Sequence, residues 1–240
     1  GPIDDELALG TIRGYYAASS YLDSQIGRLI EGLRRTYDED GDRYYDTTVL
    51  AMWGDHGFHL QEQSLWGKIS NFWVSNQIPL LLRSPDLPTG QRVSRLVEAV
   101  DIYPTLVELA GLSYPETEHL EGTSMVPLMG DPDQPWKAAA FARFEFSDTV
   151  YTDNYAFTEY VDVDDNVVAT MLYDLRYDPN ETYNLADDNP ALVAALSAVL
   201  GDGPTGKRDA WQAMVDTNDR NRPVVSALDL PEPFYPSDYF

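Results

Sequence analysis

The chain has 240 residues, and 43% of them are hydrophobic, enough to build the core of one large domain or two small ones. It has no cysteine, which excludes disulfides, thiolate metal ligands and a cysteine nucleophile within it. Forty acidic residues against 16 basic ones give a net charge of −24, which disfavours nucleic acid as a partner because that binding needs cations against phosphate. The same charge serves solubility, especially where salt screens the repulsion, and it repels polyanionic substrates at long range unless a local cationic pocket opposes the field. No apolar run approaches the ~18 residues that a membrane span requires. The first residues lack the charged-then-apolar pattern of a secretory signal, and in a carboxyl-terminal part of a longer protein such a signal lies upstream.

In chain order, Ile12, Tyr15, Tyr16, Leu22, Ile26, Leu29, Ile30 and Leu33 recur at helical spacing. They predict an amphipathic helix over 11–35 that packs on a sheet. Asp38-Glu39-Asp40-Gly41-Asp42 reads as a solvated turn. The apolar, β-branched run 47–53 predicts a buried strand, and 78–83 a second one ended by Ser84-Pro85. Asp101 is placed to cap a helix reaching Leu109, with Gly111 as its stop. Strand and helix alternate, so the fold class is α/β. Past residue 135 the pattern changes to short strands over 140–146, 155–163 and 167–173, with Asp164-Asp165-Asn166 as a hairpin connection. A helix follows at 191–200, which makes this part a small α+β subdomain. Residues 204–240, rich in Pro, Asp and Tyr, predict a tail that wraps the surface.

Chemistry concentrates just after the first strand, in Trp53-Gly54-Asp55-His56-Gly57. A carboxylate and an imidazole side by side at the carboxyl end of a strand lie where α/β sheets place their ligands, and together they form a metal half-site. The plain alternative is a strand-to-loop turn that uses Asp and Gly for backbone reasons. Asp55 suits a hard cation such as calcium; His56 is softer and leaves room for another metal or for a role behind the ligands. Lys68 is an exposed loop lysine on its own residue type, and a cationic contact for an anionic ester if it faces one. His59 reads equally as a substrate contact or proton shuttle and as an ordinary loop histidine. Phe58 and Trp66 either line a substrate pocket or simply pack. Glu62 orients the loop, and His119 lies in a polar surface segment.

A longer ordered set of motifs carries a family resemblance. It runs through Ser20-Tyr21-Leu22-Asp23-Ser24-Gln25-Ile26-Gly27-Arg28-Leu29, Gly54-Asp55-His56-Gly57, Trp66-Gly67-Lys68 with Ser70-Asn71, and Ile78-Pro79-Leu80. It continues in Val100-Asp101-Ile102-Tyr103-Pro104-Thr105-Leu106 with Leu109-Ala110-Gly111, then Leu172-Tyr173-Asp174-Leu175, Asp178-Pro179-Asn180-Glu181 and Asn184-Leu185. In this order the set resembles the second half of the sulfatase catalytic domain, of the alkaline-phosphatase-like superfamily, and looks closest to its iduronate-2-sulfatase-like branch. The resemblance implies that residues 1–135 are the second half of that α/β domain and 136–240 its carboxyl-terminal subdomain. It implies that Asp55 and His56 bind a divalent cation, usually calcium, that Lys68 contacts the sulfate, and that His59, Phe58 and Trp66 border the substrate.

The nucleophile of such enzymes is a formylglycine made from the Cys or Ser of a C/S-x-P-x-R motif. Ser113-Tyr114-Pro115-Glu116-Thr117 departs from that motif, with Thr117 where Arg is required, and reads as a turn. The upstream strand ending in paired aspartates is also missing. Hence the resemblance implies a carboxyl-terminal chain or fragment, inactive alone, that needs the amino-terminal half as a second chain. In the whole enzyme the hydrated formylglycine attacks sulfur while a histidine of the missing half protonates the leaving alcohol. The implied substrate is a sulfated carbohydrate and the implied setting extracellular, periplasmic or lysosomal. Two alternatives remain: a phosphoester hydrolase of the same superfamily, or a non-catalytic binding or assembly module that keeps the fold.

Overall fold

The computed structural model describes residues 3–113, 120–202, 227–237 and 239. The readings of His119 as surface, of 114–117 as a turn and of 203–226 as tail lie outside them. The chain divides into two compact units, Gly1–Lys68 with Ile78–Thr89 and Ile69–Gln77 with Gly90–Phe240. The first is helix and strand, the second an antiparallel sheet with helices, in keeping with the α/β class.

The first unit opens with α1 (Asp5–Arg35), which starts earlier than its apolar periodicity predicts. Asp4 is the reason: its carboxylate accepts from the Leu7 amide at 2.9 Å and starts the helix there. Asp5 and Glu6 in the first turn and Arg34 and Arg35 in the last oppose the helix dipole. Only Ala8 of α1 is buried, while Tyr16, Tyr21, Leu22 and Leu29 are each at least 60% exposed. The expected packing of this helix is met only in part among the described residues, where Ile12, Ile26, Ile30 and Leu33 are half-buried. After α2 (Tyr44–Thr47), strand β1 (Leu50–Trp53) leads to the candidate site. A hairpin of β2 (His59–Leu60) and β3 (Trp66–Gly67) follows, paired His59 to Gly67 and Leu60 to Trp66.

The segment 69–77, with the short α3 (Trp73–Asn76), belongs to the second unit, and the chain returns to the first as β4 (Leu80–Arg83). Strand β4 pairs antiparallel with β1, Leu50 opposite Arg83 and Trp53 opposite Leu80. The expectation that both strands are buried is corrected: Trp53 is 48% and Leu81 56% exposed. A sheet of two strands has no inner position, so its faces stay open unless another layer covers them.

In the second unit a 3-10 turn (Ala99–Asp101) runs into α4 (Ile102–Leu109), which stops at Gly111 with φ +64°. Asp101 does not cap α4 with its side chain. Its carboxylate, fully buried, instead accepts from the Glu98 amide (2.8 Å), the Thr123 amide (2.8 Å) and the Lys137 ammonium (2.7 Å). Lys137 also reaches Glu98 at 2.7 Å. Gly122 lies so close to this turn that a Cβ there would sit 1.9 Å from the Val100 carbonyl oxygen, so only glycine fits.

Next come α5 (Val126–Gly130) and a meander of β5 (Ala139–Phe144), β6 (Ser147–Thr152), β7 (Tyr155–Val161) and β8 (Val167–Asp174), in that spatial order. Strand β6 escapes the sequence reading because Ser147-Asp148-Thr149 looks like a connection. Its polar groups are satisfied inside the sheet: Thr149 and Thr158 hydroxyls meet at 2.7 Å, and Asp148 takes a two-pronged bond from Arg143 at 2.6 and 2.7 Å. The last element, α6 (Pro190–Asp202), covers one face of this sheet. Alternation along the strands sends Val150, Phe157 and Leu172 to that face, against Leu185, Leu192 and Leu196. Tyr151 and Ala156 point to the other, against Trp73, Leu96 and Leu175.

Residues 227–237 and 239 run over the α6 side. Leu228, Leu230, Tyr235 and Tyr239 pack on the core there. The Tyr235 hydroxyl donates to the buried Asp174 carboxylate at 2.5 Å and accepts from Arg176 at 3.1 Å. Tyr235→Phe is expected to cost roughly 1.5–3 kcal/mol of unfolding free energy, the worth of a hydrogen bond to a charged group, read by urea denaturation. None of the helices among the described residues is long and apolar enough to cross a membrane.

Candidate functional site

All six predicted site residues lie in the first unit, between the end of β1 and the residue after β3. Gly54 makes the exit from β1 tight. Its amide donates to the Pro79 carbonyl at 3.0 Å, and an added Cβ would stand 3.1 Å from Pro79 Cδ. The chain then turns through Asp55 and His56, whose side-chain atoms approach each other, Oδ2 to Nε2, at 3.4 Å. Asp55 Oδ1 accepts from the His56 amide at 3.1 Å, which fixes the carboxylate. His56 Nδ1 meets the Gly57 carbonyl at 2.8 Å. A carbonyl only accepts, so Nδ1 carries the proton and Nε2 keeps its lone pair on the Asp55 side.

A carboxylate oxygen and an imidazole nitrogen thus point to one region, with the imidazole oriented by a backbone carbonyl as metal-binding histidines are. The Asp55 side chain is 85% exposed and that of His56 32%. The donors fit half of a metal site. Calcium takes six to eight oxygens, and no cluster of three or more His, Cys, Asp or Glu suited to a metal occurs among the described residues. A cation held by this pair would need further donors from outside them.

The loop after the pair is strained. Gln61, Gln63 and Ser64 have φ of +98°, +50° and +59°, a left-handed conformation that non-glycine residues seldom adopt. Glu62 holds it, accepting from the Leu60 amide at 2.5 Å, which is the loop-orienting task expected of it. His59 is almost wholly buried, on β2. Burial pushes its pKa below the ordinary imidazole value, against opposing influences from the Glu62 backbone and charge and from Gln63, so its neutral form is favoured.

Phe58 stacks obliquely on Tyr15 of α1, ring centres 5.2 Å apart, a contact not foreseen from sequence. Trp66 is half-buried, and its indole nitrogen is buried without a hydrogen-bond partner among the described residues. Lys68 is exposed and follows Gly67, whose φ of +100° turns the chain out of the hairpin. The antiparallel pairing brings Lys68 back to the end of the hairpin at which the chain arrives from Gly57.

Comparison with known proteins decides the family. A family model described as Sulfatase matches residues 4–112, and one described as N-sulphoglucosamine sulphohydrolase, C-terminal, matches residues 61–200. The chain belongs to the sulfatase family. An arylsulfatase K of Xenopus laevis is 30% identical over 200 residues, 78% of this chain and 35% of its own length. A choline-sulfatase of Rhizobium meliloti is 30% identical over 235 residues, 95% of this chain and 44% of its own length. Among solved structures, a candidate sulfatase of Bacteroides fragilis superposes with a TM-score of 0.72 at 22% identity, over 95% of this chain and 48% of that one. The chain therefore spans between a third and a half of the relatives it matches.

Proposed function

We propose that this chain supplies the carboxyl-terminal part of a sulfatase that hydrolyses sulfate esters, of a sulfated carbohydrate, with the help of a divalent cation such as calcium. The observation that carries the reading is the Asp55–His56 pair, two donor atoms 3.4 Å apart at a strand end with the imidazole tautomer fixed by Gly57. Asp55 gives a carboxylate oxygen to the cation and His56 gives Nε2. Lys68 places an ammonium against the non-bridging sulfate oxygens, whose charge it offsets more strongly in a site that excludes water. Phe58 and Trp66 form apolar walls, and His59, held neutral, adds no charge to repel the cation. The cation, when bound, lowers the pKa of a nucleophile and neutralises developing charge. The nucleophile, a formylglycine, comes with the amino-terminal half.

That half is also the partner that the first unit calls for. Helix α1 contains Gly10, Gly14, Gly27 and Gly32, each costing about 1 kcal/mol of helix propensity against alanine. A helix of this composition, with Tyr16, Tyr21, Leu22 and Leu29 exposed, gains its stability from something packed on its apolar face. The open faces of β1 and β4 ask for the same. The localisation in keeping with the family is extracellular, periplasmic or lysosomal.

Calorimetric titration of the assembled two-part protein with calcium tests the ligand assignment. Asp55→Asn is expected to weaken binding by at least roughly a hundredfold, the upper range for residues that only support ligands. Unchanged calcium affinity in that variant would remove Asp55 from the site and with it the reading.

A further inference from the structure

Within the second unit, the tail is seated as a bound peptide would be. Residues 227–236 carry neither helix nor strand, and their exposure alternates. Leu228, Leu230 and Tyr235 are half-buried, whereas Asp229, Glu232 and Phe234 are exposed. Pro231, Pro233 and Pro236 fix φ near −65°, so this stretch has little conformational freedom left to lose on docking. Its seat reads two successive residues. Asn189, just before α6 and 5% exposed, donates from Nδ2 to the Phe234 carbonyl at 2.9 Å and accepts the Phe234 amide on Oδ1 at 2.5 Å. One side-chain amide thus takes both backbone groups of one residue, as a neighbouring strand would. It is indifferent to the side chain there, and that of Phe234 points away, 60% exposed. Tyr235 is read instead by its hydroxyl, which donates to Asp174 at 2.5 Å and accepts from Arg176 at 3.1 Å. Both readers are held in place by bonds that do not involve the tail. Asn189 Nδ2 also donates to the Leu185 carbonyl at 3.0 Å, and Arg176 donates to the two Asp174 oxygens at 2.9 and 2.6 Å. Tyr177 meets the Tyr235 ring edge-on at 5.7 Å, and Tyr183 meets Tyr239 at 5.5 Å.

We propose that this surface is a peptide-recognition site and that its occupant is the chain's own tail. It takes an extended, proline-bearing peptide, reading the backbone of one residue through Asn189 and a tyrosine at the next through Asp174 and Arg176. Such a division of labour is common in peptide recognition: main-chain bonds give affinity, and a pocket for one side chain gives specificity. The tail is a separable ligand of the unit, not a member of its core. Among the described residues, the buried members of the core under α6 all come from 139–200, and the tail residues join it only half-buried. The site owes nothing to the sulfatase reaction and stands whether or not the ligand assignments above hold.

The test keeps the whole chain. A variant carries a specific protease site between Asp202 and Ala227 and is cut there after folding. The tail fragment is expected to stay with the rest through size-exclusion chromatography. A labelled synthetic peptide of residues 227–240, in excess, should then replace it. The uncut chain should bind that peptide at least about tenfold more weakly, because its tethered tail competes at a roughly millimolar effective concentration. Peptides with Tyr235→Phe, or with the Phe234 amide nitrogen methylated, should each bind about tenfold more weakly or worse, having lost one recognised hydrogen bond. Both changes sit on the peptide and cannot unfold the protein. A fragment that leaves while the circular dichroism of the sheet persists overturns the recognition. A fragment that never exchanges, or whose loss unfolds the rest, makes the tail part of the core and overturns its being a ligand. Equal affinity of the methylated peptide overturns the reading of the backbone by Asn189, and equal affinity of the Tyr235→Phe peptide that of the tyrosine by Asp174 and Arg176.

Discussion

Lys68→Ala is expected to lower kcat/KM of the assembled enzyme by roughly a hundred- to a thousandfold, the loss seen when one preorganised group facing transition-state charge is removed. The sulfate group is anionic throughout the reaction and gains charge on its oxygens and on the leaving alcohol as the ester bond breaks. A fixed ammonium lowers the energy of that charge most where water is excluded. It matters more here than in most proteins because the chain carries a net charge of −24, whose field opposes any anion that approaches. Melting temperatures of wild type and Lys68→Ala, measured alongside, show that the loss is read on a folded enzyme. Lys68→Arg should recover part of the loss, since it restores the charge with a different donor geometry. A loss below about threefold in Lys68→Ala would take this residue out of the reacting site.

The largest stability effect is expected at Lys137. Its ammonium lies between the Glu98 and Asp101 carboxylates at 2.7 Å from each, with all three side chains less than a tenth exposed. Removing one partner of such a group leaves charge buried and uncompensated, which costs about 3–5 kcal/mol. Lys137→Met keeps the length and apolar stem but leaves two carboxylates facing each other without a cation. Asp101 also fixes the Thr123 amide beside Gly122, and Glu98 accepts from the Phe141 amide at the start of the sheet, so the loss should spread to both. Urea unfolding at neutral pH reads it directly. A variant within about 1 kcal/mol of wild type would mean that water reaches the site and solvates the acids. Replacing all three residues by apolar ones of similar size is expected to recover most of the loss.

The motifs that disclosed the family did so for unlike physical reasons. In Gly54-Asp55-His56-Gly57 an acid and an imidazole follow a strand, a pattern that also serves a plain turn, and the structure brings their side-chain atoms within 3.4 Å. Val100-Asp101-Ile102-Tyr103-Pro104 was legible only as a helix start. Its aspartate belongs instead to an ion triad completed by Lys137, a long-range pairing that no local pattern displays. Glu181 was similar: quoted as part of Asp178-Pro179-Asn180-Glu181, it gave no sign of its bond to Trp73.

Strand β6 was missed because Ser, Asp and Thr read as loop until their partners on β5 and β7 are known. The burial of β1, β4 and α1 was overestimated for the opposite reason. Their apolar patterns are real, but the layer that would cover them is not among the described residues. A sequence records which face is apolar, not whether the partner for that face is in the same chain.

The most direct measurement is sulfate release from a sulfate ester, assayed for the 240-residue chain alone and mixed with a formylglycine-bearing amino-terminal half. The expected result is no turnover from the chain alone, turnover from the mixture, and its loss when the mixture carries Asp55→Asn. Turnover by the rigorously pure chain, or none from a mixture in which the two parts co-purify, would contradict a shared active site.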